Sequence, residues 1–156
     1  FGDGMENFLK NADRLIGLRD NNFQTPSPPP DPDIVVTPGN HSVTISWEPT
    51  TTDPETYTDP FRFDEMDVPF EGYRLYKSTQ GLGGPWTLLR EYDIANNGFF
   101  TDSGIEYSFV DEGLVNNLEY FYTVTAFSKP DTVIAFPSQE SSKAQCKKGV
   151  PRNGAT

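Results

Sequence analysis

The densest group of chemically capable side chains lies between Glu48 and Glu71. Asp53, Glu55, Asp59, Asp64, Glu65 and Asp67 crowd this stretch, with Arg62 as its only basic residue. Hard cations such as calcium take several oxygens at once, and clustered carboxylates supply them. These six residues are therefore the candidate metal ligands, with calcium as the candidate ion and no other cofactor expected. Their spacing is not that of an EF-hand, and no Asp-x-Asp-x-Asp run occurs. The alternative is a solvated acidic loop that keeps the chain soluble. Tyr57, Phe61, Phe63 and Phe70 are interleaved with the carboxylates. Rings at this density either pin the loop to the rest of the molecule or present a face for a protein or a sugar.

Nucleophilic chemistry finds no such cluster. The sequence holds one His and one Cys. His41 falls in an early turn and Cys146 in the last expected strand, and a Cys–His nucleophile would need both at one site. No catalytic residue is assigned, and the expected protein is not an enzyme. Gly81-Leu82-Gly83-Gly84 does not lead into a helix, so it reads as a hairpin loop and not as a phosphate cradle. Asn40-His41-Ser42 is an acceptor sequon for N-glycosylation and reads as coincidental. A single Cys excludes an internal disulfide framework, and one Cys with one His excludes a Cys/His zinc site.

Composition narrows the partners. With 12 basic and 23 acidic side chains, the net charge is -11 over 156 residues. An acidic field of this size repels phosphate backbones and bare anionic membrane, so no nucleic-acid partner is expected. No apolar run approaches the roughly 20 residues that span a bilayer. The hydrophobic share is 35% and the aromatic share 13%, so a core must lean on Phe, Tyr and Trp. Starting on Phe1, the sequence reads as a processed product or an excised piece of a longer chain.

Four segments organise the chain: a helical segment 1–24, a Pro-rich linker 25–33, a β domain 34–147 with its acidic insert at 49–70, and a polar tail 148–156. Residues 3 to 20 have the spacing of an amphipathic helix, with Asp3 and Glu6 as a capping box. Met5, Phe8, Leu9, Ala12, Leu15 and Ile16 form its apolar stripe, opposite Asn7, Lys10, Asn11 and Arg14. Phe8, Leu9, Leu15, Tyr57, Phe61 and Phe63 are the candidate partner-contact residues. The run TPSPPPDPD favours extended polyproline II and acts as a stiff spacer. From Ile34 the pattern is strand and turn: Ile34–Val36, then Val43, Ile45 and Trp47 alternating with polar residues. Tyr73–Tyr76, Trp86–Tyr92, Ile105–Val110, Leu118–Phe127 and Ser138–Cys146 follow. Seven short strands at this spacing predict an all-β, antiparallel sandwich.

Three pieces resemble a fibronectin type III domain. They are Val43-x-Ile45-x-Trp47 after Pro38-Gly39, Gly72-Tyr73-Arg74-Leu75-Tyr76, and Leu114 followed six residues later by Tyr120 heading the strand through Ala126. The resemblance covers roughly 34 to 147 and implies Trp47 in the core and a tyrosine corner at Tyr120. The segment between the second and third strands is longer than is usual in the family. The whole arrangement is similar to modules of large secreted or surface proteins of Bacteroidota-like bacteria, which implies an extracellular or cell-surface location. It also implies a non-catalytic structural or protein-interaction role, with other domains of the parent chain or neighbouring subunits as partners. A carbohydrate-binding or substrate-docking accessory module of a secreted hydrolase is the alternative. An exposed coplanar row of aromatic rings on one sheet face would mark that alternative.

Overall fold

The computed structural model describes residues 25–154. The amphipathic segment 3–20, with Phe8, Leu9 and Leu15, lies outside the described residues. Among them, seven strands occur: β1 (Val35–Gly39), β2 (Ser42–Ser46), β3 (Phe70–Ser78), β4 (Thr87–Asp93), β5 (Ser108–Glu112), β6 (Tyr120–Ser128) and β7 (Cys146–Gly149). They form two antiparallel sheets, a three-stranded one in the order β1-β2-β5 and a four-stranded one in the order β4-β3-β6-β7.

The period-two alternation places the core. Val43, Ile45 and Trp47 point from the smaller sheet, and Tyr73, Leu75, Tyr122 and Val124 from the larger; all are buried. Leu114 and Tyr120 close one end, and the Tyr120 hydroxyl accepts the Val115 N–H at 3.0 Å. That bond is the expected tyrosine corner. Each side chain of this size buried from water contributes about 1.5–3 kcal/mol. Gly72 has a steric reason: a Cβ there would lie 2.2 Å from the Tyr92 carbonyl oxygen, where β4 crosses close to β3.

Pro38 and Gly39 do not stop the first strand but pair within it, opposite Val43 and Ser42. Proline is tolerated there because β1 is an edge, where its missing N–H breaks no ladder. The last strand is also displaced. It was expected over Ser138–Cys146 and begins only at Cys146. The reason is a distant carboxylate: Asp31 accepts both the amide (2.9 Å) and the hydroxyl (2.7 Å) of Ser142. The chain thus makes only an isolated bridge at Glu140, opposite Phe127, before leaving the sheet. The polar tail expected from 148 consequently starts inside β7. Beyond it the Pro151 carbonyl accepts from Asn117 N–H, and Arg152 N–H donates to the Gly39 carbonyl.

The Pro-rich run joins no strand. It lies along the sandwich as a strap, with Pro26, Pro29 and Pro32 buried. Asp31 holds it to Ser142, and Asp33 holds it to the Thr50–Thr52 turn.

Candidate functional site

The acidic insert is built on a buried arginine. Arg62 is only 6% exposed despite its charge. Its Nε and Nη2 donate to the two Asp64 oxygens at 3.0 and 2.6 Å. Nη1 and Nη2 also donate to the Lys129 and Pro130 carbonyls at 2.9 and 3.0 Å. The buried Asp131 accepts the Phe63 N–H at 2.6 Å and the Val133 N–H at 3.1 Å. Arg62 and Asp131 thus latch the insert to the turn after β6. Planar two-pronged pairing of this kind suits guanidinium geometry and fixes both partners.

Four of the six candidate metal ligands have separate partners. Asp53 caps the one-turn 3-10 helix Pro54–Thr56 by accepting the Glu55 N–H. Glu55 accepts the Tyr73 hydroxyl at 2.8 Å. Asp59, buried, accepts the Ser27 N–H at 2.6 Å and the Phe61 N–H at 3.0 Å. Asp64 is paired with Arg62. Glu65 and Asp67 stand exposed at an open cleft of about 390 Å³, which the buried Asp59 and Arg62 also line. Among the described residues no three His, Cys, Asp or Glu side chains form a group able to hold a metal. The fold thus brings Asp59, Glu65 and Asp67 to one cleft without forming such a group among the described residues.

The aromatic residues divide. Tyr57 packs against the core and its hydroxyl donates to the Ser27 carbonyl. Burial pushes its phenol up to about 12. Phe70 is in the core. Phe61 and Phe63 are exposed at 44% and 37%, and Val133 across the latch at 63%. The insert therefore carries an apolar surface on a fixed frame.

His41 and Cys146 are not joined. The His41 Nδ1 donates to the Leu114 carbonyl at 2.9 Å, and the Cys146 thiol donates to the Leu82 carbonyl at 3.3 Å.

Two further carboxylates escaped the sequence reading. Asp93, fully buried, accepts the backbone N–H groups of Thr101, Asp102 and Ser103 and the Thr101 and Ser103 hydroxyls. It holds a loop in which Asn96, Phe100 and Asp102 all adopt left-handed backbone angles. The Asp-Asn-Gly-Ser-Thr content of residues 93–104 was the available signal. Glu71, also fully buried, takes Asn97 Nδ2 at 2.7 Å and Lys129 at 3.5 Å on Oε1. Its Oε2 has no hydrogen-bond partner among the described residues.

These environments predict an acid profile. Hydrogen bonds from Arg62, opposed by burial, hold Asp64 below its ordinary 3.8. Burial would raise Asp93, but the bonds from Ser103, Thr101 and Asp102 outweigh it and leave it low. A depressed carboxyl stabilises fully above its ordinary value, and that stability is lost as pH falls through the lower folded value. Glu71 has the opposite sign, because burial, only partly offset by Asn97 and Lys129, raises it above 4.5. Its penalty is absent below 4.5 and grows as pH rises through the raised value. The urea midpoint is therefore expected to drop steeply below about pH 4 and to decline gently above pH 4.5. Asp93→Asn should lower the neutral plateau and shallow the acid limb. An unchanged acid limb in that variant would refute the role given to Asp93.

The three-on-four antiparallel sandwich, the buried Trp47 and the tyrosine corner at Tyr120 give the chain a fibronectin type III-like fold. No family model matches the chain, and no curated protein matches it. Solved structures do. A β-1,2-glucanase from Parabacteroides distasonis is 14% identical with TM-score 0.48, over 83% of this chain and 14% of that chain. An Fn3-like protein from Clostridium thermocellum is 15% identical with TM-score 0.42, over 83% of this chain and 94% of that one. A fourth FNIII domain of human origin is 15% identical with TM-score 0.48, over 87% and 91%. The chain thus spans only a small part of the glucanase.

Proposed function

We propose that the chain is a non-catalytic structural and protein-interaction module of a larger extracellular or cell-surface protein. Its partners are other domains of the parent chain or neighbouring subunits. The observation that carries this reading is the latched insert, which holds Phe61 and, across the latch, Val133 exposed on a frame fixed by Arg62 and Asp131. Exposed apolar groups held on a fixed frame suit contact with another protein. The mechanism is positional: the sandwich supplies a rigid body and the insert a docking face, with no covalent step.

The carbohydrate reading asked for a coplanar aromatic row on a sheet face. Among the described residues the exposed large aromatics are Phe61, Phe63 and Phe100, and each lies in a connection between strands. This distribution favours protein contact over sugar stacking. No helix among the described residues is long and apolar enough to cross a membrane.

The test places a photo-reactive residue at position 61 of the chain in the cells that make it. Covalent products with polypeptide of the parent chain or a neighbouring subunit are expected, and Val133→Asp should remove them. Absence of polypeptide products would overturn the reading. So would binding of an oligosaccharide that Phe61→Asp abolishes.

A further inference from the structure

We propose that the latched insert is the docking face for the apolar stripe of residues 3–20 of this same chain. This rests on the protein-contact reading above and names its first partner. Ser27 N–H donates to the buried Asp59 carboxylate and the Ser27 carbonyl accepts from Tyr57, so the chain reaches the sandwich at the insert itself. Asp59 also accepts the Phe61 N–H, which places the point of arrival within two residues of the exposed Phe61 ring. Four residues, 21–24, separate the segment 3–20 from Thr25. Extended at about 3.3–3.6 Å each, they reach up to roughly 15 Å, enough to bring the stripe onto a face that begins beside Ser27.

Composition fits the pairing. The stripe offers Met5, Phe8, Leu9, Ala12, Leu15 and Ile16, and the latch region exposes Phe61 at 44% and Val133 at 63%. Short tethering raises the effective concentration of the segment at the face into the millimolar range, so a contact too weak for a free peptide suffices here. The consequence for function is that the module's orientation relative to whatever precedes it is set at the insert.

Hydrogen exchange on the whole 1–156 chain tests this. At low concentration the amides of residues 3–20 should exchange about tenfold or more slowly than in a free peptide of that sequence. The double variant Phe61→Asp with Val133→Asp should return them to the peptide rate while β3 and β6 stay protected, which shows that the sandwich still folds. Peptide-like exchange in the wild-type chain, or protection that survives the double variant, would overturn the proposal. Protection that grows with protein concentration together with a dimer in sedimentation would also overturn it, assigning the face to a second copy. In each of these cases polypeptide cross-links from position 61 would leave the protein-contact reading standing, and their absence would remove both.

Discussion

Trp47→Ala is expected to cost about 3–5 kcal/mol, the range for emptying a large aromatic site in a packed core. Trp47 is 1% exposed. Its ring lies 5.6 Å from that of Tyr92 and 6.4 Å from that of Tyr73, so it bridges the two sheets. Its Nε1 donates to the Glu106 carbonyl at 2.9 Å, a bond that alanine leaves unmade. Neither neighbouring strand can collapse into the gap without breaking its ladder. A domain of this size has about 5–15 kcal/mol of total stability, so the variant is left marginal. Urea unfolding of the two proteins checks this, and Trp47→Phe should lose less. A Trp47→Ala protein that unfolds at the parent midpoint would show that the inter-sheet core is misassigned.

Arg62→Ala is the second large effect, and its signature is local. Removing one partner of a buried ion pair costs about 3–5 kcal/mol, because the other charge is left without compensation. Here the loss strands Asp64 and leaves the Lys129 and Pro130 carbonyls without their donor. The insert answers by opening, which limits the cost to the sandwich. Limited proteolysis should therefore cut the variant within residues 58–67 well before the wild type, while the cores of β3 and β6 resist. Arg62→Lys should behave nearly as badly, since an ammonium cannot fork onto both Asp64 oxygens. If proteolysis of Arg62→Ala matches the wild type, the latch is not what fixes the insert.

The parts of this molecule that could be read in advance are those whose causes lie close together in sequence. Val43, Ile45 and Trp47 declare a half-buried strand by alternation alone, and the fibronectin type III resemblance carried by Leu114 and Tyr120 implies the corner. The parts that stayed hidden depend on distant partners. Asp31 displaces the last strand by binding Ser142, a residue 111 positions away. Arg62 reaches carbonyls 67 and 68 positions away. No local pattern carries such information, and the acidic insert consequently read as a set of ligands. Spacing placed the six carboxylates near one another in sequence, whereas in the fold Asp53, Glu55 and Asp64 take different partners and only Asp59, Glu65 and Asp67 share a cleft. The phrase Phe61-Arg62-Phe63 did hold a clue, since a lone cation between aromatic residues in an acidic run calls for a buried counter-charge.

The central claim is that the insert is a fixed surface and not a solvated loop. Native-state hydrogen exchange of the Phe63 amide tests it most directly, because that N–H donates to the buried Asp131 carboxylate at 2.6 Å. Exchange slowed by about a hundredfold or more relative to an unstructured chain is expected, close to that of neighbouring amides held by the latch. Exchange of the Phe63 amide at the unstructured rate, with β3 and β6 protected, would contradict it.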